Sequence, residues 1–293
     1  MDGYAVRFQD VREASPSHPV LLTITTEIPA GSVPTIAISP GQAARILTGS
    51  MMPTGTDTVV MQENVEQIGS NMLRLTQAPP QMGNFVRHQG HFYRAGDRLL
   101  KGGLVIGGAE LAVLAAAQVM TVPVFRRVRV GVLSTGNELV QPHEVLKPGQ
   151  IVDSNQVAIV ALLQQAGVDA IPLGQVQDNR ILLKSAMEDA IACCDVVISS
   201  GGVSVGDYDY VEDLLEELGG AIQVRSIAIK PGKPLTFATF GEKLYFGLPG
   251  NPVSALVTFW RFVLPAIKKR SGQEKSWGPQ WTPAISNNSL TSD

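Results

Sequence analysis

The 293-residue chain is poor in the residues that build extracellular scaffolds and metal centres. Its two cysteines, the neighbours Cys193 and Cys194, are too few and too close for a disulfide framework and point to a reducing compartment. Their expected role is structural, as small residues entering a strand. The four histidines, His18, His88, His91 and His143, form no HxH or HxxxH spacing, which argues against a zinc site. No window approaches the run of about 18 apolar residues that a membrane span needs. The start, Met1-Asp2-Gly3-Tyr4, lacks the basic segment and apolar run of a secretory signal. Neither sign of charge dominates, since 23 Lys and Arg against 26 Asp and Glu leave a net charge of −3. That balance gives no global attraction to nucleic acid or to an anionic membrane. The expectation is a soluble, cytoplasmic protein with neither as a partner.

What is present divides into two grammars. Residues 1 to about 125 are broken by Gly and Pro into short β-rich pieces, among them Val20–Ile24, Thr58–Met61 and Asn71–Leu75. Short strands between turn residues suggest a β barrel or sandwich module. One helix is expected there, from Gly108 to Met120, before Pro123. From 128 to 270 strands and helices alternate. Strands are expected at Arg129–Ser134, Ala170–Val176, Asp195–Ser199, Ser226–Ile229, Leu235–Phe240 and Lys243–Phe246. Helices are expected near Asn155–Ala166, Arg180–Ala192 and Asp209–Leu218, with a last one opening at Asn251-Pro252. The fold class is therefore multi-domain: a β-rich N-terminal module, then an α/β domain with a doubly wound, mostly parallel sheet. The expected divisions are 1–90 (β-rich module), 91–127 (part of a linker domain with one helix), 128–272 (α/β domain) and 273–293 (the start of a further β domain).

In an open α/β sheet, ligands bind beyond the carboxyl ends of the strands. The segments after those ends are Ser134–Leu139, Gln177–Asn179, Ser200–Asp209, Lys230–Pro234 and Gly247–Pro252, and each carries Gly or an ionisable residue. Gly201, Gly202, Ser204 and Gly206 form a glycine loop between a strand and a helix, which can cradle a phosphate or serve only as a tight turn. It is neither a Walker loop nor GxGxxG. Lys230 and Lys233 form a phosphate clamp or a solvated pair. Glu138, Asp178 and Asp209 stand after three different strands, as Mg²⁺ ligands or as helix caps.

At these loops the sequence resembles the MoeA family of molybdopterin molybdenumtransferases. The resemblance rests on Ser199–Asp209, Ser134–Leu139, Asp153-Ser154-Asn155, Lys230–Pro234 and Gly247–Pro252, with Met1–Arg7 and Arg45–Gly49 in the first half. It implies molybdenum insertion from molybdate into adenylylated molybdopterin, with Mg²⁺ and release of AMP. It further implies catalytic roles for Asp2, Thr48, Glu138, Asp178 and Asp209, with Glu138, Asp178 and Asp209 as metal ligands. Lys230, Lys233, Pro249 and Pro252 would line the substrate pocket beside the glycine loop. A homodimer is implied, in which Asp2 and Thr48 act across the interface. Three departures stand out. Gly90-His91-Phe92 replaces the family's Gly-Glu-Asp, about fifty family residues before Met1 are absent, and the C-terminal β domain is nearly so. Two other functions compete: the adenylyltransferase that shares this α/β domain, and a scaffold that binds molybdopterin without turnover.

Overall fold

The computed structural model describes residues 1–201, 210–283 and 285. The chain forms two compact units, Met1–Asp97 and Arg98–Asp293.

The first unit is one six-stranded sheet, which takes the place of the expected barrel or sandwich. Its strands are β1 (Gly3–Val6), β2 (Val20–Ile28), β3 (Gln42–Ile46), β4 (Thr58–Met61), β5 (Val65–Ile68) and β6 (Met72–Leu75), in the order β4-β1-β3-β2-β6-β5. Only β2 and β3 pair in parallel. A single turn of helix, α1 (Phe8–Val11), follows β1. Alternation along the strands supplies two cores, one for each face. Tyr4, Val6, Ala43, Val60, Leu73 and Leu75 pack on one side, and Ala5, Ala44, Ile46 and Val59 on the other. Each fully buried leucine here, such as Leu73, contributes about 1.5–3 kcal/mol. Gly3 has a steric reason: a Cβ would lie 2.1 Å from the Val60 carbonyl oxygen of β4.

The second unit begins with α2 (Gly108–Ala116), which is shorter than expected. Gln118 adopts the left-handed conformation (φ 56°), and Val119 N–H donates to the Leu114 carbonyl, so the helix closes several residues before Pro123. The strands that follow are β7 (Arg129–Thr135), β8 (Leu139–Val140), β9 (Ile151–Val152), β10 (Asp169–Val176), β11 (Val196–Ser200), β12 (Ala221–Ser226), β13 (Pro234–Phe240) and β14 (Lys243–Leu248). Strands β8 and β9 form a small parallel pair, and the others form one sheet ordered β10-β7-β11-β14-β13-β12. The first four run parallel, whereas β13 is antiparallel to both of its neighbours. The sheet is thus mostly parallel, as its sequence pattern implies.

Helices cover both faces. On one, Val130, Val132, Val196, Ile198, Phe246 and Leu248 pack against Ile159 and Leu163 of α3 (Ser154–Gln165), and against Ala255 of α6 (Pro252–Thr258) and Ile267 of α7 (Leu264–Arg270). A π-helical turn, Phe259–Val263, joins α6 to α7. On the other, Leu133, Val197 and Tyr245 meet Leu183, Met187 and Ala190 of α4 (Arg180–Cys193), and Val211, Leu214 and Leu215 of α5 (Val211–Glu217). Tyr245 donates its buried hydroxyl to Ser199 Oγ at 2.6 Å.

Two expectations change. The strand expected at 226–229 ends at Ser226, because β13 pairs with 221–226, from Ala221 opposite Thr239 to Ser226 opposite Pro234. The cysteine pair closes α4 before the strand begins. Cys193 is exposed, while Cys194 is buried beneath Gly131 with its thiol pushed up to about 12, chiefly by burial. Asp195, next in line, takes a bidentate pair from Arg126 at 2.7 Å and a bond from Arg129 N–H. Among the described residues, no helix is long and apolar enough to cross a membrane.

Candidate functional site

The parallel order brings the ends of β10, β7, β11 and β14 to one edge. The start of β13 joins them, because that strand runs antiparallel to β14 and its Pro234 lies opposite Ser226 at the end of β12. Four candidate loops and the lysine loop therefore share this edge.

Close backbone contact explains several glycines. Gly201 has φ 91°, and a Cβ on it would lie 2.3 Å from the Thr135 carbonyl oxygen at the end of β7. Its N–H donates to the Leu248 carbonyl at 3.1 Å, tying β11 to β14. Gly232 is buried between Lys230 and Lys233, both exposed, and a Cβ there would meet Thr258 Cγ2 at 2.7 Å. The Glu138 carboxylate folds back over Gly136, where a Cβ would lie 2.7 Å from Glu138 Oε2.

Carboxamides hold the loops together. Asn155, buried at the start of α3, donates from Nδ2 to Ser200 Oγ and to the Gly250 carbonyl, each at 2.8 Å. Gln175 of β10 donates from Nε2 to the carbonyls of Gly136 and Leu139, at 2.8 and 2.9 Å. Asn137 and Asp178 exchange bonds: Asn137 N–H donates to Asp178 Oδ2 at 3.2 Å, and Asp178 N–H to Asn137 Oδ1 at 3.1 Å.

The capping role considered for Asp178 belongs instead to Asn179, whose Oδ1 accepts from Ile181 and Leu182 N–H. Asp153 caps α3 through Gln156 N–H, and Asn251 caps α6 through Ser254 N–H. Three buried side-chain oxygens have no hydrogen-bond partner among the described residues: Ser134 Oγ, Thr135 Oγ1 and Asp153 Oδ2. All three belong to this edge.

Asp2 and Thr48 lie in the first unit and touch directly. The Asp2 carboxylate accepts from Thr48 N–H and Thr48 Oγ1, both at 2.8 Å, and these bonds hold it below the usual carboxylate range. Thr48 borders a cleft of about 770 Å³ that Met1, Met51, Phe85, Arg87 and His88 also line. Near it, His91 and Phe92 stack edge-to-face and Arg87 lies over the Phe92 ring. The Asp97 carboxylate, five residues beyond Phe92, accepts from Arg94 N–H in its own turn.

Glu138, Asp178, Gly201, Lys230, Lys233, Pro249 and Pro252 thus belong to one edge, and Asp2 and Thr48 to the other unit. Gly202, Ser204, Gly206 and Asp209 lie outside the described residues. Among the described residues, no three His, Cys, Asp or Glu side chains gather to hold a metal ion. Sequence reasoning did not single out Asn155 or Gln175 as site residues. Asn155 sits in a quoted motif, but nothing local distinguishes Gln175 from any strand glutamine.

Known proteins agree with this architecture. Residues 1–117 match the model of the MoeA N-terminal region (domain I and II), and 131–269 that of a probable molybdopterin binding domain. The molybdopterin molybdenumtransferase of Nostoc sp. is 51% identical over 296 residues, covering 100% of this chain and 67% of its own. The enzyme of that name from Haemophilus influenzae is 38% identical, covering 99% of this chain and 70% of its own. A crystal structure of a molybdopterin biosynthesis MoeA protein from Pyrococcus horikoshii superposes with a TM-score of 0.79 at 30% identity, over 94% of this chain and 67% of that one. With both halves matched in order and relatives this similar along its whole length, the chain belongs to the MoeA family of molybdopterin molybdenumtransferases.

Proposed function

We propose that this chain is a molybdenumtransferase of molybdenum cofactor biosynthesis that inserts molybdenum from molybdate into adenylylated molybdopterin and releases AMP. The observation that carries this reading is the meeting of the ends of β7, β10, β11 and β14 at one edge.

Glu138 and Asp178 follow β7 and β10, which pair directly, and both offer hard oxygen. Mg²⁺ is commonly held by one or two carboxylates together with substrate phosphate oxygens and water, so this donor set fits it, with Asp209 as a third candidate. When bound, Mg²⁺ supplies charge neutralisation and polarisation of the phosphate. Lys230 and Lys233 offset the remaining negative charge of the adenylate. Gly201, Gly202, Ser204 and Gly206 admit the phosphate to the backbone, and Pro249 and Pro252 give the pocket a stiff wall. Asp2, kept ionised by Thr48, orients the substrate from the β-rich unit of a second copy in a homodimer. The four-part domain division and a cytoplasmic location belong to the same proposal.

A second reading, binding without turnover, is favoured by His91 and Phe92 at the position of the family's acidic pair. AMP release from adenylylated molybdopterin, with Mg²⁺ and with or without molybdate, separates the two. Molybdate-stimulated release that Glu138→Gln abolishes supports the enzyme. Tight binding with no release rejects it in favour of the binder.

A further inference from the structure

We propose that Asn155 is a positioning residue for the proposed reaction: its carboxamide sets the spacing between the two loops that flank the substrate. The inference rests on the functional reading above.

A carboxamide has two N–H donors. Both of Asn155's are used, at equal lengths of 2.8 Å, on acceptors from different strands. Ser200 is the last residue of β11 and immediately precedes the glycine run that begins at Gly201. Gly250 stands between Pro249 and the Asn251-Pro252 start of α6. A Cβ on Gly250 would lie 3.8 Å from the Gly201 Cα, so Gly201 and Gly250 approach closely beside the two acceptors of this side chain. A direct backbone tie, Gly201 N–H to the Leu248 carbonyl, joins the residue after Ser200 to the end of β14.

Asn155 is itself held firmly. Asp153 caps its helix, and the next residue, Gln156, donates to the Gly174 carbonyl at 2.8 Å. The helix start is thus anchored to β10, and Asn155 projects that anchorage onto β11 and β14. Only an amide serves here. Aspartate has the same shape but presents oxygen in place of the NH₂ group, and the Gly250 carbonyl can only accept. Ser200 can rotate its hydroxyl to donate, so Asn155→Asp breaks one tie selectively.

Misplacing reactive groups by about 1 Å costs about 100-fold in rate, and a substitution remote from the reacting atoms should show that loss mainly in kcat, with a smaller change in KM. The test measures AMP release and AMP affinity in wild type, Asn155→Asp and Ser200→Ala, with activity expressed per folded molecule well below the melting transition. Where the wild type turns over, a fall of about 100-fold in kcat for Asn155→Asp supports the inference. Ser200→Ala keeps the Gly250 tie, so its expected fall is about 10-fold, and it serves as the test if the first variant does not fold. Wild-type turnover with both variants within about threefold of it would overturn the positioning role and leave the function standing. A wild type that releases no AMP rejects the function. AMP affinity, read by calorimetry, then decides the inference: about tenfold weaker binding by the variants supports a set loop spacing, and unchanged binding rejects it.

Discussion

Gly201→Ala offers the sharpest test of the packed sheet edge, because two independent penalties fall on one methyl group. Gly201 has φ 91°, and an L-residue in the left-handed region costs about 1–2 kcal/mol. The added Cβ would also stand 2.3 Å from the Thr135 carbonyl oxygen, a backbone atom with no rotamer to escape into. Relieving such overpacking costs about 1–3 kcal/mol more. Gly167, just after α3, isolates the first penalty, since it has φ 75° and nothing within 4 Å of its would-be Cβ. At about 2–4 °C per kcal/mol for a unit of this size, Gly201→Ala should lower Tm by about 4–20 °C, against about 2–8 °C for Gly167→Ala. All three tryptophans, Trp260, Trp277 and Trp281, lie in the second unit, so tryptophan fluorescence in the whole chain follows that unit alone. Equal shifts for the two variants would refute the close contact between the ends of β7 and β11.

Two further outcomes are expected. Arg126 holds Asp195 down to about 2 from its ordinary 3.8, so that contribution is present above about pH 4 and disappears as pH falls toward 2. Arg126→Ala should therefore flatten the acid limb of the stability profile between those values, and an unchanged limb in acid titration followed by circular dichroism would count against the pairing. Tyr245→Phe leaves Ser199 Oγ without its buried donor and should cost about 1–2 kcal/mol in thermal melts, while an unchanged Tm would remove that bond from the account.

The α/β half was the more legible part of the sequence. Its central strands β7 and β11 are buried on both faces and read as compact apolar runs, and several of its helices carry clear caps, as Asn251-Pro252 does at α6. The β-rich half was less so. Strand β3 is Gln42-Ala43-Ala44-Arg45-Ile46, with alanines where β-branched residues would signal a strand, and the tight packing on both sheet faces is what selects them. Strand β12 misled because Ile222 and Val224 alternate just as Ile227 and Ile229 do, and only pairing with β13 chooses between the two registers. The site edge followed from strand order and loop composition. The role of Asp178 did not, since its partner Asn137 is 41 residues away. Gln175 was hidden for the same reason, because its acceptors are backbone carbonyls that no composition reveals.

The caps on α3, α4 and α6 have a consequence for how an anion is received at this edge. A helix start attracts phosphate through N–H groups left over from the first turn. Here Asp153, Asn179 and Asn251 already occupy some of those donors, and the first residue of α6 is a proline with none to give. The carboxylate of Asp153 also repels any anion near α3. These three helix starts are therefore poor docks for phosphate. The caps thus serve the fold: they start these helices cleanly at the sheet edge while leaving few free donors on them.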